Sequence, residues 1–216
     1  MMQLDLLGVD TLRERQRLGE AAFVLRGFAL DEAQALVAHV REVERQAPFR
    51  HLVTPGGYTM SVALTCCGKL GWTSDEQGYR YSPVDPRTNH AWPPMPALFA
   101  GLASAAAREA GFRDFLPDAC LINRYLPGAR MSLHQDRDER DFGAPIVSVS
   151  LGMTATFLFG GLRRADKAVR VPLQHGDVVV WGGPDRLRFH GILPLKDMPH
   201  PVLGSERINF TLRKAV

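Results

Sequence analysis

The stretch Ser132-Leu133-His134-Gln135-Asp136-Arg137-Asp138 decides how the rest of the chain is interpreted, because it joins a short strand pattern to a candidate metal site. One residue separates His134 from Asp136, and in an extended segment such positions project to the same side. Their imidazole and carboxylate would point at one spot, as in the facial arrangement of two histidines and one carboxylate that suits non-haem Fe(II) oxygenases. The third ligand must come from a distant strand, and the stretch Leu187-Arg188-Phe189-His190-Gly191 offers His190.

Short strand patterns continue on both sides of this stretch, and turns rich in glycine separate them. Strands are expected at Ala119–Tyr125, Arg130–His134, Pro145–Leu151, Ala155–Phe159, Ala168–Leu173, Asp177–Trp181, Arg186–Ile192 and Arg207–Arg213. Strands of this number and spacing predict a double-sheet jelly roll, the double-stranded β-helix. The predicted fold class is therefore α+β and mainly β.

Helices are expected in the part of the chain that precedes the jelly roll. Ala21–Phe28 is typical of a first strand, and apolar residues at helical spacing after the N-cap candidate Asp31 predict a helix to about Gln46. Pro96 opens a second helix, which Gly111 is placed to end. Residues 1–20 are charged and weakly patterned, and they are interpreted as a poorly specified arm.

Residues 48–95 contain glycine and proline so often that long regular elements are not expected there. The segment also carries two of the three tryptophans and three of the four tyrosines. Such a segment would suit a lid over a planar ligand, because base–aromatic stacking contributes about 1–3 kcal/mol per base. The alternative is that Trp72 and the tyrosines form the small core of a subdomain.

The composition fits one domain of 216 residues with a net charge of +3, which permits an anionic partner without demonstrating one. Within it, residues 1–47 are the N-terminal extension and helix, 48–95 the lid, and 118–213 the jelly-roll core.

No apolar run is long enough to span a membrane, and the first residues lack a secretion signal. Three cysteines make neither a disulfide framework nor a C-x-x-C pattern, so a reducing cytoplasm is expected.

The last strand pattern, Arg207–Arg213, places polar side chains on one face and apolar ones on the other. An Fe(II) oxygenase needs a two-electron donor, and an arginine fork would hold a dicarboxylate cosubstrate. Arg207 and Arg213 lie about 20 Å apart along an ideal strand. One should therefore hold the carboxylate far from the metal, and the other should lie near the metal-ligating aspartate. Asn123 and Tyr125, on one face of the first core strand, could add hydrogen bonds.

Long motifs in a fixed order carry a resemblance to a known family. They read T-P-G-G-Y-T-M-S-V-A, L-G-W-T, G-Y-x-Y-S-P, P-D-A-C-L-I-N-R-Y-x-P-G-A, L-H-Q-D-x-D-E, A-P-I-V-S-V-S-L-G, H-G-D-V-V-V-W-G-G and R-x-N-x-T-x-R. Over roughly Phe28 to Arg213 the sequence resembles the AlkB family of Fe(II)/2-oxoglutarate-dependent dealkylases, above all its bacterial members. Ile208 stands where an aromatic residue is expected, but it belongs to the apolar face of its strand.

The resemblance implies roles for individual residues. The iron ligands would be His134, Asp136 and His190. The residues that bind 2-oxoglutarate would be Asn123, Tyr125, Arg207, Asn209 and Arg213. The residues that contact the damaged base or its strand would be Trp72, Tyr79, Arg80, Tyr81, Asp138 and Arg164. The residues near the phosphates would be Thr54, Tyr58, Arg130, Ser132, Gln135 and Arg137. Asp138 is counted with the catalytic residues, because its carboxylate would favour a cationic base over a neutral one.

The activity implied by the resemblance is oxidative demethylation of N1-methyladenine and N3-methylcytosine, with Fe(II), 2-oxoglutarate and O2. Formaldehyde, succinate and CO2 would be released in a direct-reversal repair of DNA. Single-stranded DNA is the expected substrate, with double-stranded DNA and RNA left open, and the protein is expected to be a monomer without membrane contact. A methylated pairing edge cannot pair, so flipping the base out costs less. Trp72 and His134 could sandwich the flipped ring.

Other interpretations remain open at this level. A metal-bearing jelly roll could merely bind a ligand, although the arginine strand and the aromatic segment disfavour this. An oxygenase could act on protein or on a small molecule, whereas the basic residues Arg130, Arg137 and Arg164 favour an anionic polymer. A zinc hydrolase is disfavoured because no general base is evident beside the candidate ligands.

Overall fold

The computed structural model describes residues 14–216. Most of the predicted N-terminal arm lies outside these residues, but its end is regular: strand β1 (Arg15–Arg17) pairs antiparallel with β2 (Ala22–Leu25). The other strands are β3 (Arg50–Val53), β4 (Thr59–Gly68), β5 (Gly71–Asp75), β6 (Gly78–Ser82), β7 (Ala119–Tyr125), β8 (Met131–His134), β9 (Ile146–Gly152), β10 (Ala155–Phe159), β11 (Val169–Leu173), β12 (Val178–Trp181), β13 (His190–Ile192) and β14 (Arg207–Arg213).

The strands of the predicted jelly roll divide equally between two sheets. The larger sheet has the order β1-β2-β12-β9-β14-β7-β4-β3, and the smaller one has the order β11-β10-β13-β8. Neighbouring strands in both are antiparallel. The mainly β, jelly-roll-like architecture is thus confirmed. The main change at a strand end is that Arg186–Ile192 shortens to His190–Ile192, because a 3-10 turn at Gly183–Asp185 leads into the strand.

The expectation that residues 48–95 contain no long regular element is wrong. Strand β4 has ten residues, and its buried stretch 62–67 joins the larger sheet beside β7. Glycine and proline are frequent in the whole segment, but around β4 they lie in the turn before it, where Gly57 has a φ of 82°, and at its last residue, Gly68, with a φ of 115°. What remains of the predicted lid is a separate hairpin of β5 and β6, called the lid hairpin below.

Two helices cover the outer face of the larger sheet. Helix α1 (Ala33–Gln46) buries the apolar residues Ala33, Leu36, Val40 and Val43; its N-cap is Glu32 and not the predicted Asp31. Helix α2 (Ala97–Glu109) follows Pro96 as predicted, and Gly111 follows its end with a φ of 95°. The helices share one core with β9, β12 and β14, in which Phe99 stacks on Phe210 at 4.5 Å between ring centroids.

A second apolar core fills the space between the two sheets. It includes Phe157 and Phe159 of the smaller sheet and Val179 and Trp181 of the larger one. A cavity lined by residues of both sheets adjoins this core, since Phe157 and Trp181 belong to the core and to the cavity wall.

No helix within residues 14–216 is long and apolar enough to cross a membrane.

Candidate active site

A cavity of about 870 Å³, called the main cavity below, is lined by both sheets and by Trp72 and Tyr79 of the lid hairpin. This is within the range of small-molecule and cofactor sites. The candidate ligands His134, Asp136 and His190 all line it. The sequence-predicted site therefore lies in one cavity at the end of the jelly roll.

The three candidate ligands converge because two strands pair in register. His134 ends β8 and lies directly opposite His190, the first residue of β13, with ring centroids 4.4 Å apart. Asp136 follows β8, with its Oδ1 3.6 Å from His134 Nε2 and its Oδ2 3.7 Å from His190 Nε2. All three donor atoms lie within 4.8 Å of one another, as a single metal ion requires.

Backbone carbonyls fix the tautomer of both imidazoles. His134 Nδ1 lies 2.9 Å from the carbonyl oxygen of Ser132, and His190 Nδ1 lies 3.0 Å from that of Arg188. A carbonyl oxygen can only accept, so each Nδ1 carries a proton and donates. The lone pair of each ring is then on Nε2, which faces Asp136. Hydrogen bonds of this kind orient the ring of a metal-binding histidine.

Charges around the ligands hold them in the protonation states that metal binding requires. Burial acts to raise the pKa of Asp136, but Arg213 and the two imidazoles outweigh it and hold that pKa well below its ordinary value. Arg213 donates to Asp136 Oδ2 from Nη2 at 2.6 Å and from Nε at 3.0 Å. Burial, reinforced by His134, lowers the pKa of His190 to about 4. At neutral pH the carboxylate is ionised and the buried imidazole is neutral.

The opposite part of the cavity has polar atoms without partners. Arg207 is 1% exposed and donates from Nη2 to Ser150 Oγ at 3.0 Å, whereas its Nε and Nη1 have no partner among the described residues. Asn123 Oδ1 is also unpaired. Strand pairing places Arg207 opposite Tyr125 and Asn209 opposite Asn123. Since unpaired buried donors are costly, this group of residues fits a bound carboxylate.

The two arginines of β14 therefore occupy the two positions that their spacing predicts. Arg213 contacts the aspartate of the candidate metal site, and Arg207 lies at the far end with free donors. The residues present fit both Fe(II), through two imidazoles and a carboxylate, and a dicarboxylate, through the arginine fork.

The lid hairpin is attached to the segment that follows Asp136. Trp72 stacks on Tyr79 with ring centroids 5.4 Å apart, and its indole Nε1 donates to Asp138 Oδ2 at 2.7 Å. Tyr81 lies directly opposite Trp72 in the hairpin and donates from its hydroxyl to Glu139 Oε1 at 2.6 Å. Two consecutive acidic residues thus hold both strands of the hairpin.

Most of the sequence-predicted substrate residues line the cavity, but two do not. Trp72, Tyr79, Asp138 and Arg164 are among its walls, as are the residues predicted near phosphates, Thr54, Tyr58, Arg130, Ser132, Gln135 and Arg137. Arg80 instead forms an ion pair with Asp75, and Tyr81 is held by Glu139. The structure does not place these two side chains in the main cavity.

Two residues of the site were not identified in the sequence. Glu139 is buried and accepts from Arg186 Nη2 at 2.9 Å, and Arg213 Nε lies 3.4 Å from it. Trp181 lies in the cavity wall, edge-on to His190 at 4.9 Å between centroids, and its indole N–H has no partner within residues 14–216. Both stand inside the motifs that carry the resemblance, but neither has a spacing that marks it as functional.

The jelly-roll-like barrel, the candidate ligands at its mouth and the buried arginine beyond them are the features of Fe(II)- and 2-oxoglutarate-dependent oxygenases. Comparison with known proteins agrees, since residues 21–213 match the family described as the 2OG-Fe(II) oxygenase superfamily.

Individual relatives indicate a narrower family within this superfamily. The chain is 58% identical over 201 residues to the alpha-ketoglutarate-dependent dioxygenase AlkB of Escherichia coli K12, covering 93% of each chain; alpha-ketoglutarate is another name for 2-oxoglutarate. It is 31% identical to the human nucleic acid dioxygenase ALKBH1, over 57% of this chain and 32% of that protein. A solved structure, that of OsALKBH1, superposes with a TM-score of 0.82 at 28% identity, over 93% of this chain and 100% of that one. The chain therefore belongs to the AlkB family and is a dioxygenase that uses Fe(II), 2-oxoglutarate and O2.

Proposed function

We propose that the protein removes methyl groups oxidatively from N1-methyladenine and N3-methylcytosine in DNA, preferably single-stranded, as a direct-reversal repair enzyme. The observation that carries this proposal is the position of Asp138, whose carboxylate lies beside the ring of Trp72 and two residues beyond Asp136. A planar cation next to the candidate metal site would meet both an aromatic face and a negative charge. The names of the relatives, among them a DNA N(6)-methyladenine demethylase of Arabidopsis thaliana, support a nucleic-acid substrate.

His134, Asp136 and His190 would hold the iron, and Arg207 would hold the far carboxylate of 2-oxoglutarate. When bound, the iron with this cosubstrate and O2 supplies the oxidation that converts the methyl group to formaldehyde, with succinate and CO2 as the other products. Arg213 keeps the carboxylate of Asp136 ionised and in place.

Three further residues would complete the cosubstrate site. Asn123 and Asn209 are cross-strand neighbours on the cavity floor, and Tyr125 lies beside Arg207, whose guanidinium carbon is 5.0 Å from the centre of its ring. The unpaired Oδ1 of Asn123 requires a donor, for which a bound water or a protonated group would serve.

The substrate base would lie between Trp72 and His134. Asp138 Oδ2 accepts from Trp72, while Oδ1 has no hydrogen-bond partner in residues 14–216. A free carboxylate oxygen can accept from an exocyclic amino group, and its charge favours a methylated, cationic base over the neutral parent. The methylated base has also lost its pairing edge, so it costs less to flip.

Cations around the cavity would hold the phosphates of the strand. Arg130, Arg137 and Arg164 line the cavity, and Arg137 has no ion-pair partner among the described residues. Thr54, Tyr58, Ser132 and Gln135 lie with them and can donate hydrogen bonds. Binding should therefore weaken as salt increases. Arg80 and Tyr81 are assigned instead to holding the lid hairpin.

The remaining proposals concern the whole protein. We infer one catalytic domain over residues 1–216, acting as a cytoplasmic monomer. All three cysteines are buried and free, which suits a reducing compartment.

The decisive test is formaldehyde release from a single-stranded oligonucleotide that carries one N3-methylcytosine. The reaction contains Fe(II), ascorbate and 2-oxoglutarate, with one control lacking 2-oxoglutarate and another using the unmodified oligonucleotide. Cosubstrate-dependent formaldehyde together with restored cytosine supports the proposal. Protein that consumes 2-oxoglutarate but releases no formaldehyde from this oligonucleotide would instead be an oxygenase acting on protein or a small molecule.

The role of Asp138 has its own test. In Asp138→Ala we expect iron binding and uncoupled 2-oxoglutarate consumption to persist, while the preference for cationic over neutral methylated bases falls about tenfold, since a charge contact contributes about 1–2 kcal/mol in a partly exposed site. Competition between N3-methylcytosine and the neutral N3-methylthymine in otherwise identical oligonucleotides measures this preference. Unchanged selectivity in the variant would remove the base contact.

A further inference from the structure

A second cavity, of about 480 Å³, adjoins the lid hairpin. It shares Tyr79 and Asp138 with the main cavity, so the two cavities adjoin at the hairpin. Its other walls include the apolar residues Leu70 and Pro83 and the cation Arg140. Arg80 and Tyr81, which hold the lid hairpin, also line this cavity, and no role assigned above places a ligand in it.

The ring of Tyr79 connects the two cavities. One face of the ring lies against Trp72, nearly parallel to it at an interplanar angle of 15°. Tyr79 is nevertheless 48% exposed and lines the second cavity as well as the main one. An exposed aromatic face beside apolar walls is a stacking surface for any base, because every base has a π-face.

Arg140 provides a free charge at the same place. Its backbone N–H donates to the carbonyl oxygen of Ala215 at 3.1 Å, which fixes the position of the residue. Its guanidinium has no hydrogen bond or ion pair within residues 14–216, unlike that of Arg80, which is bound by Asp75. An exposed guanidinium without a carboxylate partner is suited to a phosphate.

We propose that the second cavity holds an unmodified nucleotide of the same strand, near the flipped base, with its base stacked on Tyr79 and a phosphate on Arg140. This inference rests on the proposed function, because the strand is the substrate itself. The volume suits a nucleotide, and the second cavity adjoins the main one at Tyr79 and Asp138, so a neighbouring nucleotide of the same strand can reach it. The site then recognises a segment of strand rather than a single base, without reading the sequence beside the lesion.

The charge contact is tested with Arg140→Ala. The matched control is Arg113→Ala, which removes another exposed arginine that lines neither cavity. Binding of a fluorescein-labelled single strand with one N3-methylcytosine is measured by anisotropy, using iron-loaded protein with 2-oxoglutarate in the absence of O2. We expect Arg140→Ala to weaken binding about threefold at low salt and to lower the slope of log Kd against log salt by about 0.7, the value for one single-strand phosphate. The control should match the wild type.

The stacking contact is tested through the substrate. Replacing the base on one side of N3-methylcytosine by an abasic residue removes a stacking partner and keeps the phosphates. On one of the two sides, the abasic strand should bind the wild type about tenfold more weakly than the intact strand does. In Tyr79→Ala the two strands should bind equally well. If the abasic residue weakens binding to the wild type and to Tyr79→Ala by the same factor on both sides, Tyr79 does not stack on a neighbouring base.

The outcomes separate this inference from the proposed function. If the wild type neither prefers the methylated strand nor releases formaldehyde from it, the proposed function fails. If it does both, but Arg140→Ala has the salt slope of Arg113→Ala, only the second cavity is wrongly assigned. Thermal unfolding within the error of the wild type shows that each variant is folded.

Discussion

The floor and the rim of the main cavity differ in how their side chains are held. The floor, consisting of His190, Arg207, Asn209 and Arg213, is at most 7% exposed and lies on strands. Three of these residues belong to β14, which pairs on both sides, with β7 and β9. The rim, consisting of Trp72, Tyr79, Asp138 and Arg164, lies on the lid hairpin and in loops, and Tyr79 is 48% exposed. A few side-chain contacts, such as that of Trp72 with Asp138, hold the rim together.

This difference indicates that the floor is the more rigid part of the cavity and the rim the more mobile part. The metal and cosubstrate need fixed distances, which doubly paired strands provide. The substrate strand must enter and leave, which is easier beside a two-stranded hairpin that belongs to neither large sheet. Changes in the floor should therefore affect chemistry and stability together, and changes in the rim should affect substrate binding alone.

The largest expected effect comes from Asp136→Ala. It removes a candidate metal ligand and leaves the buried Arg213 with Glu139, 3.4 Å from its Nε, as its remaining ion-pair partner within residues 14–216. We expect formaldehyde release to fall below detection and the free energy of unfolding to fall by roughly 3 kcal/mol, as when a buried ion pair loses one partner. Iron content, turnover and urea denaturation measure this. Full repair by the variant would remove the metal assignment.

The second effect is a dependence of the free energy of unfolding on pH in the metal-free protein. The pKa of His190 is about 4 when folded, against 6.5 ordinarily, so the unfolded chain takes up a proton first as pH falls. The stability contributed by the neutral imidazole is present above pH 6.5 and is lost as the pH falls toward 4, by roughly 3 kcal/mol in total. Urea denaturation at pH 7 and 4.5 should show the loss, and His190→Gln should reduce it. Equal pH dependence in both proteins would assign the effect to other groups.

A smaller effect on the floor is expected from Arg207→Lys. Lysine keeps the charge but cannot offer the two parallel donors of the guanidinium. The KM for 2-oxoglutarate should rise about tenfold to a hundredfold, while the Kd for the methylated strand stays unchanged. Arg124→Lys is the control, since Arg124 lies on the neighbouring strand β7 but pairs with Glu44 away from the cavity. A rise in the Kd for the strand equal to the rise in KM would show that Arg207 does not act on the cosubstrate alone.

The smallest effect is expected at the rim, from Trp72→Phe. The aromatic ring remains, but the N–H that donates to Asp138 is lost. The KM for the methylated oligonucleotide should rise about fivefold, the range of one hydrogen bond to a partly exposed charge, with the KM for 2-oxoglutarate unchanged. An altered KM for 2-oxoglutarate would show that floor and rim are coupled.

The floor was predictable because its pattern is local. The alternation in Arg207–Arg213 indicates a strand with two different faces, and the structure has that strand with the same bounds. The alternation does not show that both faces of this strand are buried, one by the helices and the other by the opposite sheet. Nor does it supply the register that brings His190 opposite His134, since this depends on pairing between residues far apart in the chain.

Structure and sequence differ most in residues 48–95. The frequency of glycine and proline over the whole segment hides strand β4, whose stretch 62–67 is buried and mainly apolar. The resemblance implies that Arg80 and Tyr81 contact the base or its strand, since they adjoin Tyr79 in one motif, and the structure places both outside the main cavity. Their actual positions depend on two acidic partners, Asp75 and Glu139, and no local pattern reveals such partners.

The central position of β14 has a consequence for how the molecule is made. The strand is the last one in chain order, yet it fills the gap between β7 and β9 in the middle of the larger sheet. During synthesis, the preceding strands leave the ribosome with these two edges unpaired, and exposed edges favour association with other chains. The emergence of β14 closes the sheet and delivers Arg207, Asn209 and Arg213 in the same step. A nascent chain that stops before Arg207 would lack both a closed sheet and the cosubstrate site, so completion of the fold and competence for binding coincide.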